Sequence, residues 1–342
     1  MPTYVLEGGT SITLPAKPVS IRLQADRGPG PGGGVRLDAV GPDGPVRCIT
    51  PTPGMLVVPQ VDGPVVVRAH PLQAERFGSG TVLDLTVGYE SRQDLDPDRG
   101  VLNDLDVSGL RHRDIVALEP ADGRIRVTVL GPPAAEGPLS PVAALARDAA
   151  REILGIDQLP PSEAVTSLVG VDISASMRAL HADGTVAQVL DILGGVHRVV
   201  GRSGDSMRAC LIADRGRWLL PVAAEQLSTQ VSEACSDLEL TTGFRAAEVV
   251  HGPVAQQPTQ TWLVTDGAPA DIASIQGTSG VHLVCLMPQS AASLRLGQGL
   301  PATVVGLPDV VGQPATFGSD GNAVRDIVAS LVASFVQGGG RS

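Results

Sequence analysis

Through the first 130 residues, apolar and polar positions alternate in short runs: SITLP, VSIRLQA, GVRLDAV, MLVVPQV, PVVVRAHP, TVLDLTVGYE and RIRVTVLG, with glycine and proline between them. A period of two with frequent turn residues predicts strands, and no convincing long amphipathic helix interrupts them. An N-terminal β-sandwich is therefore expected over residues 1–130. The glycine-rich RGPGPGGG, Arg27 to Gly34, leads into a strand. A phosphate-binding loop should open a helix, so this stretch reads as a mobile hairpin loop.

The pattern then changes. A proline-rich stretch, Gly131 to Pro141, reads as a linker, and SPVAALARDAAREILG follows it with Ser140 as N-cap, Pro141 in the first turn and Gly155 as the stop. Residues 131–160 are thus expected to form a linker and a helix connecting the two halves. From Glu163 onward, continuous apolar runs such as TSLVGVDIS, MRACLIAD, QTWLVTDG, GVHLVCLMP and ATVVGLPD alternate with helical segments such as TVAQVLDILGGVHRVV and NAVRDIVASLVASFV. RWLLPV reads as a further strand, and TGFRAAEVV as the start of a helix. Apolar strands alternating with helices predict a Rossmann-like α/β domain, with a mostly parallel sheet covered on both faces, over residues 161–342. In such sheets ligands bind beyond the carboxyl ends of the strands.

Composition narrows the function classes. The 342 residues suit two domains, and with only 2% aromatics their cores must be built from Val, Leu, Ile and Ala. A formal charge of −11 argues against a nucleic-acid partner. Lys17 is the only lysine, which removes a Walker-type phosphate loop or a Schiff base from the second half. No apolar run reaches the roughly 18 residues of a membrane span, and the N-terminus has no secretory pattern, so a cytoplasmic location is expected. Cys48, Cys210, Cys235 and Cys285 lack CxxC spacing and read as reduced and mostly buried.

Polar residues break the apolar pattern at three places in the second half. The strand TSLVGVDIS ends in Asp172, Ser174 and Ser176 at alternate positions. ELTTGFRAAEVV sets a threonine pair before a helix, and TWLVTDGAPAD ends another strand in Asp266. Taken singly, Asp and Ser at a strand end also serve as caps of the next helix. Together, the set resembles the von Willebrand factor A family over residues 163–338. That family's metal-ion-dependent adhesion site uses a DxSxS motif, a threonine in a later loop and an aspartate after a later strand. By that resemblance the metal residues are Asp172, Ser174, Ser176, Thr242 and Asp266. Thr242 is preferred because Phe244 and Ala247 then match the family's apolar and small positions; Thr241 remains the alternative. Mg²⁺ or Mn²⁺ suits such donors, since a hard cation takes about six oxygen ligands and hydroxyls coordinate without adding charge. The resemblance further implies a protein partner that presents an acidic side chain to the ion, with an AAA-type ATPase or a bacterial stress-system protein as the kind of partner.

In the first half, SRQDLDPDRGVLNDLD brings Asp94, Asp96, Asp98, Asp104 and Asp106 into what reads as one short acidic loop. An EF-hand is excluded, because Gly100 falls one place late and Leu105 stands where a bidentate glutamate is needed. A calcium site on Asp94, Asp96 and Asp98 and a solvated loop both stay open. With GGGVRLDAVGPDGPVR, this loop faintly resembles the calcium-binding TerD-type domains of tellurium-resistance systems. For catalysis, the six histidines show no metal spacing and no GxSxG elbow appears. His251, after RAAEVV, falls near the threonine loop. A non-enzymatic adaptor is expected. The alternatives are a metal-dependent phosphohydrolase, for which Arg178 and Arg245 are the nearby cations, or a self-assembling structural component.

Overall fold

Strands of alternating pattern need to bury their apolar side, and in the first half the strands form two sheets whose buried residues join one apolar cluster. The computed structural model describes residues 3–27, 34–89, 98–131, 137–202, 204–236, 243–252, 259–288, 300–307 and 320–338. The chain divides into two units, Met1–Glu136 and Gly137–Ser342. In the first unit the strands are β1 (Thr3–Val5), β2 (Ser11–Pro15), β3 (Val19–Arg27), β4 (Val35–Gly41), β5 (Gly44–Pro45), β6 (Ile49–Thr52), β7 (Met55–Val58), β8 (Val65–Pro71), β9 (Val82–Tyr89), β10 (Arg99–Asp106), β11 (Arg113–Ala121) and β12 (Arg124–Val129). They form two six-stranded sheets, ordered β1-β10-β9-β3-β7-β6 and β2-β12-β11-β8-β4-β5. The pairs are antiparallel apart from β1 with β10. On β8, Val65, Val67 and Ala69 are buried while Val66, Arg68 and His70 are half-exposed. Val19 and Ile21 of one sheet and Val67, Ile115 and Val127 of the other belong to one apolar cluster.

Two expectations change here. β3 and β4 belong to different sheets, so Arg27 to Gly34 joins two sheets and is not a hairpin loop; residues 28–33 lie outside the described residues. Asp104 and Asp106 are in β10 and not in a loop. A bulge between Leu102 and Leu105, with Asp104 at φ 59° and its N–H donating to Asp84 Oδ1 at 3.1 Å, admits these polar residues to the strand. Asp94 and Asp96 lie outside the described residues, and Asp98 is half-buried just before β10.

The second unit begins with α1 (Pro141–Leu154), so the helix expected to connect the halves is part of the second one. Its caps are those read from the sequence. Ser140 Oγ accepts from Ala143 N–H at 3.2 Å, and Gly155 adopts φ 73° with its N–H donating to Arg151 O. Then follow β13 (Thr166–Asp172), α2 (Arg178–Ala182), α3 (Thr185–Val200), β14 (Arg208–Ile212), β15 (Gly216–Trp218), α4 (Leu227–Ser236), α5 (Ala247–Val250), β16 (Thr259–Thr265), α6 (Ile272–Ile275), β17 (Val281–Pro288), β18 (Ala302–Leu307) and α7 (Gly321–Gly338). The six strands lie in the order β15-β14-β13-β16-β17-β18, all parallel except the short edge strand β15. The expected strand RWLLPV reduces to that edge, and the expected helix TGFRAAEVV starts only at Ala247.

Continuous apolar strands serve both faces of this sheet. Val169, Val171, Trp262 and Val264 join an apolar cluster with residues of α1, α3, α4 and α7. Cys210, Ile212, Leu263 and Cys285 join another with Phe244, Val249 and Ile275. At the α1–α3 crossing, a β-carbon on Gly195 would stand 2.1 Å from Ala143 O, so glycine permits the approach. Two buried histidines are paired: His197 Nδ1 lies 2.7 Å from Ser167 Oγ, and His282 Nε2 lies 2.7 Å from Thr303 Oγ1, which donates to Ser330 Oγ of α7. All four cysteines are free, and burial pushes the Cys210 and Cys285 thiols up to about 12. No helix among the described residues is long and apolar enough to cross a membrane.

Candidate functional site

The chain reverses its direction of travel across the sheet between β13 and β16: β14 lies on one side of β13, and β16 on the other. Such a switch point leaves a crevice at the carboxyl ends of the two central strands, because their connections depart to opposite sides. Asp172 ends β13 and Asp266 directly follows β16. β13 and β16 are parallel neighbours, so both aspartates stand at that same edge.

Asp172 is only 2% exposed. Its Oδ1 accepts from Ser174 N–H at 2.8 Å, and its Oδ2 accepts from the Thr265 hydroxyl at 2.8 Å. Burial lifts its carboxyl above the ordinary aspartate value, and the charge of Asp266 acts in the same direction; the bonds from Ser174 and Thr265 oppose them. Ser174 stays extended at φ −65°, ψ 162° and leads into a short 3₁₀ turn, Ala175–Met177, anchored by the fully buried Met177. This backbone brings Ser174 Oγ and Ser176 Oγ to 3.0 Å from each other, with Ser176 exposed and Asp266 half-buried.

Thr242 and Thr241 lie outside the described residues, but the chain immediately after them is well tied. Gly243 adopts φ 104°, and a β-carbon there would stand 3.1 Å from Asp214 Oδ1, so a left-handed glycine passes beside that carboxylate. Arg245 N–H donates to Ala213 O, in the loop after β14, at 3.1 Å. From the loop after β16, Ala270 N–H donates to Phe244 O at 2.9 Å. Asp271 accepts from both Ala246 N–H and Ala247 N–H, each at 2.9 Å. The segment following Thr242 thus bridges the loops of β14 and β16, the two strands that flank Asp172's own.

Four contributors were not read from the sequence. Thr265 holds Asp172, and Asp271 fixes the 243–247 segment. His181 Nε2 lies 3.0 Å from Asp172 O, and Asp214 stands exposed just past β14. Thr265 adjoins Asp266, and Asp271 lies in the same TDGAPAD run, so the sequence carries a local signal for both. His181 and Asp214 had no signal in the pattern. His251 closes α5, where Nε2 lies 3.0 Å from Ser274 O; Arg178 and Arg245 are exposed.

The donors suit a hard divalent cation. The Ser174 and Ser176 hydroxyls are hydrogen-bonded to each other at 3.0 Å, a separation that adjacent ligands of an octahedron with bonds of about 2.1 Å also take. Among the described residues no group of three or more His, Cys, Asp or Glu side chains is placed to hold a metal ion. Ser174, Ser176, Asp172 and Asp266 offer oxygen donors at this edge, two hydroxyls and two carboxylates, which is the donor type a hard cation prefers.

Among solved structures, the chain is similar to the crystal structure of the ArnB paralog VWA2 from Sulfolobus acidocaldarius, at 10% identity and a TM-score of 0.24, over 79% of this chain and 44% of that one. The chain spans less than half the length of that protein. No protein-family model and no curated protein matches the sequence.

Proposed function

We propose that the second unit is a von Willebrand A-like interaction domain. In this reading Asp172, Ser174, Ser176 and Asp266, with Thr242, hold Mg²⁺ or Mn²⁺, and the ion takes up an acidic side chain of a protein partner. The observation that carries this reading is the buried Asp172 carboxylate, lifted in pKa at a topological switch point, with two hydroxyls 3.0 Å apart and a second carboxylate beside it. A buried charge without a counterion is costly, and no cationic side chain makes an ion pair with Asp172 among the described residues. A divalent ion would supply the missing charge, and neutral hydroxyls would leave it enough residual positive charge to attract a carboxylate. We assign no catalytic group to the site. An AAA-type ATPase or stress-system protein is the partner class implied by the family resemblance. For the first unit we read the two sheets as a β-sandwich, and for Asp94, Asp96 and Asp98 a calcium site stands beside the alternative of a solvated acidic loop.

Melting of the metal-stripped protein tests the metal assignment. At an ion concentration of 100 times Kd, binding stabilises by about 2.7 kcal/mol, which for a unit of this size raises Tm by about 5–10 °C. Mg²⁺ or Mn²⁺ should produce such a shift in the wild type and not in Asp266→Ala or Ser174→Ala. An equal shift in all three proteins rules the assignment out.

A further inference from the structure

We propose that Arg245 is a second anchor for the partner, taking a second carboxylate beside the one held by the ion, so that the site selects segments carrying at least two acidic residues. This rests on the metal-site reading above for the first carboxylate, and on separate observations for the second. Arg245 is exposed, yet its backbone is fixed from both sides. Its own N–H is bound to Ala213 O, Phe244 O is bound by Ala270 N–H, and Ala246 and Ala247 are bound by Asp271. The segment spans from the loop of β14 to the loop of β16 and so crosses beside the end of β13, where Asp172 and the serine pair stand.

The side chain of Arg245 makes no hydrogen bond or ion pair with any described residue. Four other arginines of this unit are committed: Arg147 to Asp148, Arg151 to Asp157, Arg198 to Glu225 and Arg325 to Glu152. Asp214, close against Gly243, does not capture it. A guanidinium carried on a preordered backbone loses little freedom on binding, and its planar fork accepts a carboxylate through two parallel N–H donors. Arg178 and Arg215 are also exposed beside this edge, among the carboxylates of Asp214 and Asp266. The Arg245 guanidinium, unpaired among the described residues, fits a carboxylate of an acidic peptide segment by charge complementarity.

The test uses the full chain at saturating Mg²⁺ and low ionic strength. Two probes are compared by calorimetry: acetyl-hexaglutamate amide, and the same peptide with all but one glutamate replaced by glutamine. The ratio of the two affinities should fall about five-fold on Arg245→Gln, the worth of one exposed pair, while Mg²⁺ affinity is unchanged. An unchanged ratio in Arg245→Gln overturns the proposal. Repeating both titrations in EDTA separates the two readings. If the one-glutamate peptide binds equally well there, the metal reading fails, and a ratio that still falls with Arg245→Gln keeps Arg245 as an anchor on its own.

Discussion

Asp172 combines two roles that conflict in the absence of an ion: it ends a buried strand, and it carries a charge. Asparagine keeps the shape and removes the charge. Its oxygen can accept from Ser174 N–H, and its amide can donate to the Thr265 hydroxyl, which turns its own hydrogen toward Gly267 O, 3.0 Å away. Asp172→Asn should therefore raise the Tm of the metal-stripped protein by a few degrees, about 1 kcal/mol or more, and abolish any response to Mg²⁺. A lower Tm in metal-free urea or thermal denaturation would show that the buried charge is not the liability described. A second residue sets acid stability. Burial lowers His282 from 6.5 to about 4, so between those values the unfolded chain takes up a proton that the folded chain refuses. Stability falls as pH drops through that window, by about 2 kcal/mol between pH 7 and pH 5 from this group. Urea titrations at the two pH values should give a smaller loss in His282→Gln; an identical loss would exclude His282 as a source.

At the scale of elements, the strongest dependence is of one loop on another. Asp271 acts as a remote cap for α5, replacing the N-cap side chain that Ala246 lacks. Asp271→Ala leaves two backbone N–H groups without their acceptor, one of them on a buried residue, and should cost about 2–4 kcal/mol. It should also weaken Mg²⁺ binding, because the chain next to Thr242 is released; equal Mg²⁺ affinity in calorimetry would separate the cap from the site. At the α1–α3 crossing, Gly195→Ala sets a helix-propensity gain of up to about 1 kcal/mol against overpacking of about 1–3 kcal/mol. With backbone oxygen 2.1 Å from the new β-carbon the clash wins, and urea denaturation should show a net loss.

These elements also mark what the sequence could show. α1 was legible because its signals are local: Ser140, Pro141 and Gly155 act on their own backbone neighbours. β10 was not, because Asp104 and Asp106 look like loop residues until the bulge that accommodates them is seen. β11 was missed although Asp122 and Gly123, both at positive φ, form the kind of turn that joins it to β12. Within the site, Asp172 and Asp266 were legible because each interrupts an apolar strand. The bonds of Asp271 to Ala246 and Ala247, and of His181 to Asp172 O, join residues brought together by the fold and leave no periodic trace.

At the scale of the whole molecule, two units of different construction share one chain. The first stacks its strands in two mostly antiparallel sheets, and the second winds helices about one mostly parallel sheet. Alternation with a period of two against longer apolar runs separates strand-only from strand-and-helix segments in the sequence, but it assigns α1 to a connector, whereas the helix belongs to the second unit. What alternation could not show is which strands neighbour one another, and the switch point between β13 and β16 depends on that order. The account of function rests on this one crevice holding an ion. Calorimetric titration of Mg²⁺ and Mn²⁺ into the metal-stripped full chain and into Asp172→Asn tests it most directly. The account predicts a divalent-ion site in the wild type that disappears in the variant. No binding heat in the wild type, or the same site in both proteins, would contradict it.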